Sequence, residues 1–272
     1  MNPRSMMRSL TAAAAVSLTL CGAAHAAGTP KTIESGRLTY GVAATFAPFE
    51  FTKDGALTGF DIDLISAIAR QMKLTPDAQS MQFSGLIPAL QGGRTDLINS
   101  AMYMTPARAT QVDFVPYLKI GDRIVVQAAN PAKITGRDQS LCGKTIAVTL
   151  GGIEETYARA DVQRCAAAKL AAPTVMTLPT AQDAALSLRQ GRADALYNST
   201  PGTVKLMAEV PGVYAAVGPE FEQTTTIGMA VNKGNAAMAA ALKEALAKVV
   251  ADGTYAQLIG KWQLPASVSI FK

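Results

Sequence analysis

The sequence predicts an α/β protein built from two similar lobes, and three observations lead to that prediction. Short β-type runs alternate with segments of helical period, an order typical of parallel sheets covered by helices. The same half-pattern occurs twice, over roughly 37–118 and 142–220. The 272 residues are 49% hydrophobic and 17% charged, which favours a folded globular chain over a disordered one.

The individual elements follow from hydrophobic period and turn residues. In the first unit we predict, in order, strand 38–42, a turn between strands at 55–59, helix 61–72, helix 86–90, strand 96–99 and a helix that begins at Thr105. In the second unit we predict strand 124–127, strand 145–149, a helix from Glu154, strand 175–178, helix 181–190 and strand 193–197. The chain then continues through strand 227–231, helix 235–251 and helix 255–262.

Residues 1–26 have the pattern of a cleaved secretory signal. A start with two arginines and no acid precedes an apolar run over 10–20 that is too short to span a bilayer. An A-x-A cleavage site follows at 24–26. We therefore predict an exported protein whose mature chain begins at Ala27.

The chain has a single histidine, His25, which lies in this signal. A mature chain without histidine has no Ser-His-Asp triad, Cys-His pair or His-ligated zinc site. We accordingly predict no catalytic residue, no metal and no cofactor. The net charge of +5 has no dense Lys/Arg run behind it, so nothing indicates nucleic-acid binding.

Two cysteines, Cys142 and Cys165, remain after the signal. An even number in an exported chain favours a disulfide between them, with two unpaired buried thiols as the alternative. On the chain-entropy model such a bond stabilises the fold by about 3 kcal/mol.

One candidate ligand site follows strand 96–99. Small residues there leave backbone N–H groups free, and Arg108 lies in the first turn of the helix that Thr105 caps. A guanidinium beside a helix N-terminus suits a carboxylate or a phosphate, whereas the plain alternative is a solvated surface charge. We favour the anion site.

A second candidate site is the strand-to-helix turn that runs from Thr149 through Gly152 and Ile153. It lacks the glycine spacing of dinucleotide sites, and its alternative is an ordinary tight turn. Phe46 and Phe83 adjoin turn residues in a chain with only 6% aromatics. They are candidates for pocket walls, with core packing as the alternative.

Short motifs in a fixed order carry a family resemblance over nearly the whole mature chain. They include Pro48-Phe49-Glu50-Phe51, Gly59-Phe60-Asp61-Ile62-Asp63-Leu64, Phe83-Ser84-Gly85-Leu86, Thr105-Pro106-Ala107-Arg108, Gly191-Arg192-Ala193-Asp194-Ala195 and Asp252-Gly253-Thr254-Tyr255. Each motif is unspecific alone, but the ordered set resembles the polar amino-acid-binding proteins of bacterial ABC importers, solute-binding protein family 3.

The resemblance implies a type II periplasmic-binding fold, in which two α/β lobes close on a ligand about two crossing strands. The crossings are expected near 118–122 and 222–226. The expected divisions are lobe 1 over 27–119, lobe 2 over 120–224 and a return to lobe 1 over 225–272. The resemblance further implies a monomer in the periplasm that delivers its ligand to a membrane ABC permease.

Site residues also carry over by position. Arg108 would hold the ligand α-carboxylate, helped by Ser100 and the backbone of Ala101 and Tyr103. Phe46 and Phe83 would sandwich the ligand side chain. The remaining candidates are Thr105 beside Arg108, the backbone N–H groups of Gly152 and Ile153, and the hydrogen-bond acceptors Thr149, Asn198 and Ser199.

The sequence departs from the family where the ligand ammonium is normally held. The family usually has an acid just before the first aromatic, but the run over 42–45 has none. It usually has a second Asp at the position of Ser199. We therefore hypothesise a carboxylate ligand that lacks a free α-ammonium or presents it unconventionally. Glu154 or Glu155 would substitute if the ligand lay lower in lobe 2.

Two other classes of function fit the same fold. A dehydratase acting on a prephenate-like acid would need a general acid in the cleft, for which Glu154 and Glu155 are the candidates. Solvated acids at a helix start explain these two residues better. A receptor that signals to a membrane partner is the other alternative.

Overall fold

Two five-stranded sheets, each packed against helices, form the fold of residues 30–271, the part of the chain that the computed structural model describes. The prediction of an α/β protein with two lobes is confirmed. The strands are β1 (Arg37–Val42), β2 (Thr45–Phe46), β3 (Glu50–Lys53), β4 (Ala56–Thr58), β5 (Thr75–Ser80), β6 (Leu97–Ile98), β7 (Val112–Lys119), β8 (Asp122–Gln127), β9 (Thr145–Thr149), β10 (Thr174–Leu178), β11 (Ala195–Ser199), β12 (Tyr214–Phe221) and β13 (Thr226–Asn232). The helices are α1 (Phe60–Gln71), α2 (Leu86–Gln91), α3 (Pro106–Ala109), α4 (Ile153–Ala167), α5 (Ala181–Arg189), α6 (Thr200–Glu209), α7 (Ala236–Ala251) and α8 (Thr254–Lys261).

The two large sheets share one topology. The first has the strand order β5-β1-β6-β13-β7 and the second the order β10-β9-β11-β8-β12. In each sheet the fourth strand, β13 or β8, runs antiparallel to both neighbours. The prediction of parallel sheets is wrong for these two strands. Each of them enters its sheet directly from the other lobe, so it starts at the edge where the parallel strands end.

The chain crosses between the lobes twice, at 119–122 and at 221–226. The crossings lie side by side, because Lys119 at the end of β7 pairs with Thr226 at the start of β13. The resemblance placed the crossings near 118–122 and 222–226. The lobe boundaries at 119/120 and 224/225 remain our proposal.

Each lobe has a hydrophobic core of its own. Leu64, Ile65 and Ile68 on α1 are buried in the first lobe, and α1 packs against α7. Ile146 and Val148 on β9 belong to a separate cluster in the second lobe. Full burial of such a side chain contributes about 1.5–3 kcal/mol. Ile153, at the start of α4 in the second lobe, also packs against the first-lobe cluster, so the two lobes touch at the pocket.

The predicted disulfide is confirmed. Cys142 and Cys165 are bonded, with their Cα atoms 5.6 Å apart. The bond joins the segment before β9 to the last turns of α4, and Cys165 is fully buried. The predicted secretory signal over 1–26 lies outside the described residues.

Candidate functional site

A pocket lies between the lobes at the carboxyl ends of β1, β6 and β9, the edge at which open α/β sheets bind ligands. Both lobes contribute to it. Its lining residues are Ala43, Thr45, Phe46, Phe83, Ala101 and Tyr103 from the first lobe and Thr149, Gly152, Ile153, Glu154 and Ala181 from the second. The sequence named most of these residues as candidates.

The two predicted aromatic residues both line this pocket, and both are only half-buried. Phe46, on the short strand β2, packs against the buried ring of Phe49 with their centroids 5.4 Å apart. Phe83 begins a 3-10 turn, and the guanidinium carbon of Arg108 lies 5.3 Å from its ring centroid. The two rings are therefore available to contact a ligand from the first lobe.

Arg108 connects the two lobes beside the pocket, in contact with the lining residues Phe83 and Tyr103, although it is not itself a lining residue. Its Nη1 donates to the Tyr103 carbonyl at 2.7 Å, and its Nη2 donates to the Gly151 carbonyl of the second lobe at 2.8 Å. Partial burial lowers the pKa of the guanidinium, and the nearby Glu154 opposes that shift. A guanidinium carries five N–H donors, so three remain for an anionic ligand.

The helix dipole proposed to assist Arg108 is a minor contribution. The helix α3, Pro106–Ala109, is only one turn long. Thr105 does cap it, because its Oγ1 accepts the backbone N–H of Arg108 at 3.1 Å. That bond occupies Thr105, which is not among the lining residues of the pocket. The positive charge at this position is therefore that of the Arg108 guanidinium, with little contribution from the helix dipole.

Ser100 and Ala101 do not offer the donors that the resemblance suggested. Ser100 is fully buried, and its hydroxyl donates to Glu50 and accepts from the N–H of Ala43, both at 2.9 Å. The N–H of Ala101 donates to an Asp61 carboxyl oxygen at 2.7 Å. Ala101 has a positive φ of 37°, which this bond holds in place. Both residues position the pocket edge, and these two donors are already occupied.

Glu50 and Asp61 form a buried acid pair behind that edge. Burial raises the pKa of Asp61 to about 7 and that of Glu50 well above its usual range. One oxygen of each carboxyl has no other hydrogen-bond partner. A proton that Glu50 retains and donates to Asp61 gives each of these two oxygens a hydrogen-bond partner. Tyr117 donates its hydroxyl to the other Asp61 oxygen.

The turn of the second lobe also differs from its expected role. The N–H of Gly152 donates to the Thr149 carbonyl at 3.0 Å, so it is not free for a ligand. Ile153 is the first residue of α4, where a backbone N–H has no intrahelical acceptor. Gly151 has a φ of +77°, and a Cβ built there would lie 3.4 Å from Ser84 in the first lobe. Glycine thus fits this close contact between the lobes.

Asn198 and Ser199 do not line the pocket, although the cavity beside Asn198 shares Phe46 with it. Asn198 lines a neighbouring cavity together with Lys205 and Glu209 rather than the pocket. Ser199 is fully buried, and its Oγ caps α6 by accepting the N–H of Gly202 at 3.1 Å. Because its acceptor is used by the helix, Ser199 provides no contact in place of the absent Asp.

The structure adds two acids that the predicted site omitted. Glu154, in the first turn of α4, lines the pocket and is 7% exposed. Asp122, the first residue of β8, is fully buried, and one of its oxygens accepts the Tyr103 hydroxyl at 3.4 Å. Burial raises the pKa of both carboxyl groups. The sequence offered Glu154 only as a substitute acid, and it contained no signal for Asp122.

Within 30–271, no three His, Cys, Asp or Glu side chains lie close enough together to hold a metal ion. Over the same range, no helix combines the length and apolar content needed to cross a membrane. Two lobes with separate cores and a shared pocket define a protein that holds a small ligand in the cleft between them.

Comparison with known proteins places the chain in a family. The bacterial extracellular solute-binding proteins, family 3, match residues 38–265. The putative ABC transporter arginine-binding protein 2 of Escherichia coli K12 is 30% identical over 233 residues, covering 83% of this chain and 90% of that protein. The L-cystine-binding protein TcyJ of the same strain is 28% identical, covering 85% and 84%.

Solved structures agree with the sequence comparison. An ancestral arginine-binding protein bound to arginine superposes with a TM-score of 0.77 at 33% identity, covering 84% of this chain and 98% of that one. The chain therefore belongs to the bacterial extracellular solute-binding proteins of family 3, and it is similar to members that bind amino acids for ABC transporters. It is a binding protein rather than an enzyme, as the sequence predicted.

Proposed function

We propose that this protein captures an amino acid or a related small carboxylate between its lobes and delivers it to the permease of an ABC importer. The position of Arg108 carries the proposal. Its guanidinium lies against the lining residue Phe83, joins both lobes through carbonyl contacts, and has three further N–H donors that a carboxylate could use. The relatives named for arginine and cystine support an amino-acid ligand.

We further propose that the ligand does not make the usual α-ammonium contact. Ala43 lines the pocket where the family normally has an acid nearby, and it carries no charge. Ser199 is committed to capping α6. A buried ammonium without an acid costs several kcal/mol. The ligand either lacks that group or directs it elsewhere.

The family relationship and the predicted signal over 1–26 support a periplasmic location and a membrane permease as partner. We propose a monomer in solution. A receptor that passes the signal to a membrane partner would use the same cleft, and stimulation of transport by a cognate permease distinguishes it from an importer component.

The test begins with protein unfolded, dialysed and refolded with its disulfide intact, so that any bound ligand is removed. Its melting temperature is then followed against L-amino acids and their des-amino counterparts in parallel. Stabilisation by at least one compound that carries a carboxylate is the expected result, and equal stabilisation by its amide would contradict it. Absence of any stabilisation across the panel would refute the proposed function.

A further inference from the structure

The carboxyl group of Glu154 is the feature of the pocket that the proposed function leaves unused. It lies in the first turn of α4, lines the pocket and is more than nine-tenths buried. Among the described residues, no other residue donates a hydrogen bond to its side chain. A buried carboxylate without a donor is costly, so such a group normally has a partner when the site is filled.

A second acid lies close to Glu154, behind the lining residue Tyr103. Asp122 is fully buried, and one of its oxygens has no hydrogen-bond partner. Its other oxygen accepts the hydroxyl of Tyr103, which also lines the pocket. Burial raises the pKa of both carboxyl groups. The nearby charge of Glu154 raises the pKa of Asp122 further. We refer to Glu154, Asp122 and Tyr103 as the acidic floor.

The charge balance of the pocket then restricts its ligand. Arg108 is the cation beside Glu154, and it already donates to two backbone carbonyls, whereas Arg137 is the cation near Asp122. A ligand that carried only a carboxylate would add an anion beside Glu154 and Asp122. A ligand with both a carboxylate and a cationic nitrogen satisfies Arg108 and Glu154 together.

We propose that Glu154 is the residue that binds a positively charged nitrogen of the ligand, and that the acidic floor makes the pocket specific for ligands carrying such a group. Glu154 thereby supplies the charge that neither Ala43 nor Ser199 provides. This inference rests on the proposed function, namely that a small carboxylate-bearing ligand occupies the pocket. It predicts a ligand that carries an ammonium or guanidinium group rather than a carboxylate without any cationic nitrogen.

The nitrogen has two possible sources, and four probes separate them. L-Arginine carries an α-ammonium and a distal guanidinium, L-norvaline only the ammonium, 5-guanidinopentanoate only the guanidinium, and pentanoate neither. Binding is measured by titration calorimetry with the refolded protein. Tighter binding of norvaline than of 5-guanidinopentanoate would show that Glu154 binds the α-ammonium. The reverse order would show that it binds the distal guanidinium.

The decisive variant is Glu154→Gln, with Glu244→Gln as the matched control because Glu244 is an exposed acid on α7 that pairs with Lys248. We expect Glu154→Gln to weaken the preferred cationic probe by at least about tenfold and to strengthen pentanoate. Pentanoate binding that is detectable only in the variant counts as strengthening. The control is expected to change neither affinity. This reversal separates charge recognition from a structural role, which would change all probes in one direction.

Several results would overturn the inference. One is a uniform loss for all four probes in Glu154→Gln, and another is wild-type protein that binds pentanoate as tightly as the cationic probes. A third is wild-type protein that binds none of them. If Glu154→Gln does not fold by circular dichroism, Glu154→Asp is used, and retained preference for cationic probes is expected. The proposed function fails separately, if no carboxylate in the wider panel stabilises the protein or if the corresponding amide stabilises it equally.

Discussion

At the scale of single residues, the function depends on where Arg108 and its neighbours direct their donors. Arg108 donates to the Gly151 carbonyl across the cleft, so the side chain that we propose to bind the ligand carboxylate also joins the two lobes. Ser100 and Ala101 do not have these donors free for a ligand, because the Ser100 hydroxyl donates to Glu50 and the Ala101 N–H donates to Asp61. Their residue types matched a binding motif, but burial determined which atoms are free.

Substitution of Arg108 should therefore abolish tight binding. Arg108→Ala removes a guanidinium that can donate to both oxygens of a carboxylate at once, and a loss of at least about 30-fold is expected. Arg108→Lys keeps the charge but not the planar donor pair, so it should restore only part of the affinity. Calorimetry measures both variants, with circular dichroism as the folding control. Wild-type affinity in Arg108→Ala would show that the residue is a surface charge.

The buried acid pair predicts a dependence of stability on pH. Because the folded pKa of Asp61, about 7, exceeds its ordinary value, the folded state binds more protons than the unfolded state. Stability should therefore fall as pH rises from about 4 to 7, by an amount on the order of a few kcal/mol. In Asp61→Asn this decline should be smaller.

Thermal melts between pH 4 and 8 measure the effect, and Asp54→Asn, at an exposed turn, is the matched control. Asparagine at 61 retains an oxygen for the Ala101 N–H and the Tyr117 hydroxyl. Parallel pH profiles for wild type and Asp61→Asn would contradict the assignment of the shared proton.

At the scale of elements, polar segments escaped prediction for identifiable reasons. β5 has no apolar face, because it is an edge strand that pairs only with β1 and is largely exposed. α6 begins with threonine, proline and glycine, which read as a turn, yet the Ser199 cap and a proline at the helix start suit a first turn. The spacing of apolar residues therefore predicts a strand or helix well only where that element contributes to a hydrophobic core.

The disulfide links two elements that the pocket requires. Cys142 precedes β9 and Cys165 lies near the end of α4, so the bond closes a loop that contains Thr149 and Glu154. Reduction is expected to lower the free energy of unfolding by about 3 kcal/mol. Guanidinium titrations of the oxidised protein and the Cys142→Ser/Cys165→Ser variant measure the difference. Equal midpoints and slopes for the two proteins would show that the disulfide does not stabilise the fold.

At the scale of the whole molecule, function requires the lobes to meet. Their contact includes the Arg108 bond to Gly151 and the close approach of Gly151 to Ser84. Ligand that bridges the lobes stabilises this closed arrangement by its differential affinity for it. The adjacent crossings at 119–122 and 221–226 let the lobes move while each core stays intact.

A larger side chain at Gly151 should hinder closure without unfolding either lobe. Gly151→Val adds methyl groups against Ser84, and we expect ligand affinity to fall at least about tenfold. Gly212→Val is the matched control, since Gly212 has nearly the same φ, +78°, with no neighbour within 4 Å. Small-angle scattering should show ligand-induced contraction in wild type and control but not in Gly151→Val. Full contraction in Gly151→Val would refute the closure contact.

The sequence by itself determined the α/β class, the duplicated pattern, the disulfide and the family, because these depend on local period, cysteine count and motif order. It also indicated Arg108 from the helix start at Thr105, and Phe46 and Phe83 as scarce aromatic residues beside turn residues. Tertiary structure alone decided which donors are free and which acids face the pocket. Asp122 and Glu154 meet Tyr103 only because the crossing strand, α4 and the first lobe converge at one cleft. Pairing of polar atoms across such distances is set by folding, and local sequence does not contain it.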